Sequence, residues 1–206
     1  LIGALLGNDA LGIAIDDDGL VFIADPVANR VWTWQIWQNG VVTLVNAFSA
    51  PELPPVDPAL LRDDLRKPVE FLPTSVSLDT HHRLWVCDQG NSTIRVFDKS
   101  GYELAHFGHE GYWDGSREEA FHFCLPTSLC IAGDKLIVND LVNRALKVFS
   151  IRGSLREPAL QFEKGRQFFN LRPEHGGLWM PYFIHADQSH IYVPDCTFNN
   201  VNVYSY

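Results

Sequence analysis

Four stretches of this 206-residue chain repeat one pattern, and that repeat narrows the possible folds more than any other feature. They cover residues 11–34, 72–98, 125–149 and 180–204. Each holds a short apolar run, a turn with Asp, Gly or His, and a second run that ends in aspartate. A polar turn containing asparagine follows, and then a third run. The run-ending aspartates are Asp25, Asp88, Asp140 and Asp195, separated by 63, 52 and 55 residues (88−25, 140−88, 195−140). The third runs alternate, with Val31 and Thr33, Ile94 and Val96, Leu146 and Val148, and Val201 and Val203 in phase. Period-two patterning is what a half-buried antiparallel strand needs.

A period of this size built of short strands signals a propeller or a solenoid, not a sandwich. The turn asparagines Asn29, Asn91, Asn143 and Asn199 lie three or four residues after each aspartate. Such side chains accept backbone N–H bonds in tight turns and tolerate left-handed φ. A catalytic carboxylate occurs once in a fold, whereas these eight residues recur in every repeat. That assigns them to shaping turns.

The phrase LWVCDQGNSTIRVFDKSGYELAHFG at 84–108 resembles the core motif of the NHL-repeat family. The following linker is similar to the family's loop, with Asp114-Gly115, then Phe121, then Pro126. The resemblance covers about four fifths of the chain. Pro26 and Pro194 depart from it, as does Asp187-Gln188-Ser189 in place of the usual glycine turn. It implies an all-β chain, a β-propeller of four-stranded antiparallel blades forming a single domain over 1–206, with repeats at about 8–48, 72–107, 125–151 and 180–206. Residues 102–107 (YELAHF) are the outer strand of the second blade. The fourth repeat stops before such a strand, and residues 1–7 (LIGALLG) have the matching shape. The expectation is that they complete the closing blade and remove a sheet edge. Either four blades close on themselves, or they form a stretch of a six-blade ring. The larger ring is preferred because NHL blades are shaped for six.

The formal net charge of −9 repels phosphate backbones and argues against nucleic-acid binding, including the RNA recognition known for some NHL proteins. Basic residues cluster only briefly, as at Arg62, Arg66 and Lys67, and read as solvated faces. Cys87, Cys124, Cys130 and Cys196 show no CxxC spacing and read as buried small hydrophobes, which leans toward a reducing, intracellular location. No apolar run approaches the roughly 20 residues of a membrane span. The chain starts at Leu1, so a missing signal peptide carries no information.

Three long segments (48–72, 108–126 and 152–181) lie between blades, all on one rim. In the first, Asp57-Pro58 before ALLRDDLRK predicts an N-capped short helix that ends at Pro68. Loops longer than about 12–15 residues are usually functional or disordered, and these carry too many aromatics for plain disorder. The expectation is a non-catalytic protein-binding or scaffold module that meets a protein partner through this rim. Its candidate contact residues are Tyr112, Trp113, Asp114, His122, Phe168 and Trp179. No cofactor is expected. The alternative is a metal-dependent lyase or hydrolase, similar to amidating-lyase or lactonase propellers that hold a metal in the central channel. Inner strands are predicted near 12–15, 75–78, 128–131 and 183–186, and His185 is their only good ligand. A catalytic zinc needs about three protein ligands. Asp16-Asp17-Asp18 reads as a solvated turn, and no GxSxG or HExxH pattern occurs.

Overall fold

The computed structural model describes residues 10–53, 70–168, 178 and 181–205. The first sheet is a meander of β1 (Gly12–Ile15), β2 (Leu20–Asp25), β3 (Arg30–Ile36) and β4 (Val42–Phe48). The second is β5 (Pro73–Leu78), β6 (Leu84–Asp88), β7 (Thr93–Phe97) and β8 (Glu103–Phe107). A parallel pair, β9 (His109–Glu110) with β10 (His122–Phe123), sits in the linker that follows. The third sheet is β11 (Pro126–Ala132), β12 (Lys135–Asp140), β13 (Ala145–Gly153) and β14 (Pro158–Gln167). The fourth holds β15 (His185–Ala186), β16 (His190–Asp195) and β17 (Asn200–Ser205). All pairs within these four sheets are antiparallel and sequential.

Successive sheets stack face to face, as blades do. Phe22, Ala24 and Val31 of the first sheet share a core with Val76, Leu84, Val86 and Phe97 of the second. Trp85, Cys87, Ile94 and Val96 bury their opposite face against Leu129, Leu136, Val138 and Phe149. Ile137, Leu146 and Val148 then meet Ala186, Ile191 and Val193 of the fourth sheet. The inner strands crowd together. A Cβ on Gly12 would lie 2.7 Å from Ser75 Cα, so only glycine admits this approach. Ser75 Oγ donates to Leu129 O at 3.1 Å and accepts from Leu129 N at 3.2 Å, which staples β5 to β11.

A sheet between two others is buried on both faces, and this alters the expected half-buried alternation. Every residue of β7 is buried, including Thr93 and Arg95, and so is Lys147 on β13. Alternating exposure survives on β17, in the last sheet of the series.

The structure corrects one expectation and removes one of two alternatives. Residues 158–167, placed in a long insertion by the sequence reading, form β14, because the third blade needs a fourth strand. The four sheets do not close on themselves. Ile13 and Ile15, on the outer face of the first sheet, are 61% and 60% exposed, and Val201 and Val203 of the fourth are 59% and 54% exposed. An apolar face closed against another blade would be buried, so the described residues form an open arc. No helix occurs among the described residues. The expected helix at 57–68 and the expected outer strand at 1–7 lie outside them.

Candidate functional site

Meander topology sorts the connections onto two rims. One rim carries the turn between the second and third strands of each sheet, together with the long linkers. The other carries the remaining hairpins. On the linker rim, each strand-ending aspartate organises its turn. Asp25 accepts from Ala28 N (2.9 Å) and Trp32 Nε1 (3.0 Å). Asp88 accepts from Leu72 N (3.1 Å), Asn91 Nδ2 (2.8 Å) and Arg95 Nε (2.7 Å). Asp140 accepts from Cys124 N (2.8 Å) and Asn143 Nδ2 (2.7 Å) and pairs with Lys147 Nζ at 2.9 Å. Asp195 accepts from Thr197 N (3.0 Å) and Phe198 N (3.3 Å).

The four asparagines divide into two roles that differ by one residue. Asn29 and Asn199, four residues past their aspartates, take the left-handed conformation themselves, with φ of 54° and 52°. Asn91 and Asn143 sit three past, bond the carboxylate, and leave the left-handed position to Ser92 (φ 52°) and Arg144 (φ 50°). A short polar side chain suits either task.

Arg95 and Lys147 extend the network into the linkers, and the sequence reading did not single them out. Arg95 Nη1 donates to Pro51 O (3.0 Å) and pairs with Glu103 (2.8 Å). Lys147 donates to His122 O and lies 4.8 Å from the centroids of both Trp113 and Phe123. Both follow their aspartate by seven residues (95−88, 147−140), two past the residue that the register sets opposite it (Thr93 and Ala145), which puts them on the carboxylate's face of the sheet. That spacing was the available signal.

The six rim residues named from sequence occupy different environments. Trp113 is buried: its N–H donates to Asn143 Oδ1 (3.0 Å), its indole donates to Ser116 O (2.7 Å), and its ring packs on Phe162. Phe168 is buried in the core between the third and fourth sheets. Tyr112 is 75% exposed. Asp114 is exposed and accepts from Ser116 N at 2.7 Å, and that bond with the Ser116 hydroxyl holds its carboxyl below the usual range. His122 lies on β10, its ring 4.5 Å from that of His109 and its Nδ1 3.3 Å from Tyr112 O. Trp179 lies outside the described residues.

Two arrangements carry groups suited to chemistry. On the linker rim, a cleft of about 300 Å³ between the first two blades is lined by Asn29, Asn91, Arg95, Glu52, Glu70 and Phe71. Asn29 Nδ2 donates to Glu70 across it. On the outer face of the fourth sheet, Tyr192 lies between His185 and His190, with ring centroids at 6.4 and 6.3 Å. Its hydroxyl donates to Asp187 at 2.8 Å, which raises the phenol's pKa. Asp187 also accepts from Ser189 N and His190 N, each at 2.7 Å, and these bonds hold its carboxyl far below the ordinary range.

Burial pushes the Cys87 and Cys130 thiols up to about 12, so neither is a thiolate nucleophile at neutral pH. Among the described residues no three His, Cys, Asp or Glu side chains converge as a metal site would require, and His185 stands without two further ligands. No helix among the described residues is long and apolar enough to cross a membrane.

No protein-family profile and no curated protein matches the sequence. Solved structures do. A protein from Lactobacillus plantarum superposes with a TM-score of 0.66 at 14% identity, covering 95% of this chain and 53% of its own. A streptogramin B lyase superposes with a TM-score of 0.52 at 13% identity, covering 98% of this chain and 56% of its own. A periplasmic gluconolactonase from Pseudomonas aeruginosa does so with a TM-score of 0.52 at 12% identity, over 77% of this chain and 39% of its own. The chain therefore spans about half the length of the solved chains it matches. These likenesses overturn the expected non-catalytic scaffold module, because propellers of this form include proteins named as a lyase and a lactonase. The sequence reading treated a missing catalytic constellation as evidence against catalysis, but a ring assembles its site from several blades, and four blades need not hold the whole of it. The fold this chain shares with these structures is the β-propeller.

Proposed function

We propose that this chain belongs to a propeller enzyme of the lyase or lactone-hydrolase type, with blades of the NHL kind. The observation that carries this reading is the match of one open arc of blades, over most of its length, to proteins named for those two activities. Both activities need a group that takes a proton and a donor that steadies a developing oxyanion. The linker-rim cleft offers such groups, with the Glu52 and Glu70 carboxylates as proton acceptors and the Asn29 and Asn91 amides as donors. Tyr112 and Asp114, exposed on the same rim, would border an approaching substrate, while buried Trp113 and Phe168 would fix the loops that carry them. His122 would steady the Tyr112 carbonyl, and Trp179 completes the set expected from sequence. The described residues do not fit a metal, so no step is routed through one.

The test is an assay of the full-length protein, with and without added divalent cations, on δ-gluconolactone by pH-stat and on streptogramin B by chromatography. Turnover of one substrate, reduced at least about tenfold by Glu70→Gln, is expected. Folded protein that turns over neither substrate would remove the proposal.

A further inference from the structure

The rim opposite the linkers carries a cavity of about 750 Å³, within the roughly 300–1,000 Å³ range typical of small-molecule sites. It lies between the second and third blades, under the hairpins β5–β6, β7–β8 and β13–β14. Its chemistry is unbalanced toward donors. Arg83 is buried, stacks over Trp85 at 5.7 Å, and uses Nε on Asp79 (2.6 Å) and Nη1 on Ser154 O (2.6 Å). Its Nη2 has no partner among the described residues and is open to a ligand. Arg156 and the adjoining rings of His81 and His82 are exposed at the cavity, and none of the three has an ion pair or side-chain hydrogen bond among the described residues.

Most of the acceptors are spent. Asp98 holds its own hairpin through Ser100 N (2.8 Å) and Tyr102 N (3.0 Å). Glu103 is bound to Arg95 at 2.8 Å and His106 at 3.0 Å. Lys99 is held by Asp16 at 2.5 Å and Asp18 at 3.1 Å. A ligand entering here meets the Arg83 Nη2 and Arg156 donors and, of the carboxylate oxygens, only Asp98 Oδ2 without a partner among the described residues, beside the apolar surface of Leu104 and Leu155.

We infer that this cavity binds a small organic anion, in which a carboxylate or phosphate takes the Arg83 and Arg156 donors and a compact body packs on the two leucines. A planar guanidinium offering paired N–H groups is the side chain best matched to such oxyanions. Arg83 is preorganised by Asp79, Ser154 and Trp85, so it loses little freedom on binding.

Isothermal titration of the full-length protein with gluconate, glycerol phosphate and uncharged glucose tests this. At least one anion should bind, and glucose should not. Stronger binding of gluconate than of glycerol phosphate, or the reverse, identifies the oxyanion. Arg156→Glu should weaken binding at least about tenfold. Arg152→Glu, which changes an exposed charge of the same blade outside the cavity, should leave it within about twofold. Leu155→Trp, which fills the cavity from an exposed bend, should abolish it. The inference is overturned if neither anion binds at millimolar concentration, if the two arginine variants weaken binding equally, or if glucose binds as well as the anions.

Discussion

Lys147 Nζ lies 2.9 Å from Asp140 Oδ2, and neither side chain has any exposed surface. Burial raises the Asp140 pKa and lowers that of Lys147, and their mutual attraction opposes both shifts. The pair persists because each partner has further bonds, Asp140 to Cys124 N and Asn143, and Lys147 to His122 O. It ties β12 to β13 and both to the linker.

Replacing Lys147 with Met should cost about 3–5 kcal/mol, because it strands a buried carboxylate. Pairing it with Asp140→Asn should recover much of that loss. The carboxyl pKa is already raised above its ordinary 3.8, and in Lys147→Met it rises further. A raised acid lends stability that is fully present below its unfolded value and is lost as pH rises through the folded one. The variant's deficit relative to wild type should therefore shrink as pH falls toward 4, whereas the double variant's should not. Urea titrations across pH measure this.

Asp187 shows the opposite sign. Its carboxyl is held below the ordinary 3.8 by Ser189 N, by Tyr192 and by His190 N. Its contribution is present above the unfolded value and fades as pH falls through the folded one. The Ser189 and His190 amide resonances should titrate together below pH 3.8. In Asp187→Ala that transition should vanish at any pH studied, and the β15–β16 pairing should fray first. Amide resonances that titrate unchanged in the variant would assign the turn to other forces.

The blade repeat was legible because its signals are local: apolar runs of strand length, an aspartate at each strand end and an asparagine in each turn. What the repeat could not reveal depends on neighbours. Arg95 and Lys147 occupy off-phase positions of a third strand, which would face solvent in an isolated sheet and are buried here beside linker residues, Arg95 at Pro51 and Phe71 and Lys147 at Trp113 and Phe123. Trp113 looked like a contact residue because loop aromatics can serve either purpose, and only the packing of Gly165 and Lys147 against it shows that it is core. A second aspartate family also went unread. Asp16, Asp79 and Asp187 precede Asp25, Asp88 and Asp195 by 9, 9 and 8 residues (25−16, 88−79, 195−187). Each accepts backbone N–H bonds in the opposite rim's hairpins, as Asp79 does from His81 N (2.9 Å) and Arg83 N (3.0 Å). The third blade has Gly133 there instead, at φ 61°.

The one-residue offset between the turn asparagines predicts opposite outcomes at adjacent positions. Arg144 holds φ 50° with an exposed side chain, so Arg144→Asn should stabilise the chain by about 0.5–1 kcal/mol by placing a residue tolerant of left-handed φ there. Asn143→Ala should destabilise it by about 2–3 kcal/mol, because it strips buried bonds from Asp140, Gly111 O and Trp113 N. Equal effects from the two changes would contradict the division of roles.

Gly165 provides the last prediction. A Cβ there would lie 2.1 Å from Trp113 Cη2 and within 3 Å of two more ring atoms. The indole has little room to retreat, since Nε1 is bonded to Ser116 O, the ring packs on Phe162, and Lys147 lies over its face. Gly165→Ala should therefore cost about 1–3 kcal/mol by overpacking and displace the ring, carrying the Tyr112–Asp114 loop with it. The displacement should appear as a red-shifted fluorescence component that is lost in Trp113→Phe. Because phenylalanine is the smaller side chain, Trp113→Phe should also relieve part of the alanine's cost, and the coupling between the two sites measures how tightly β14 seats the linker.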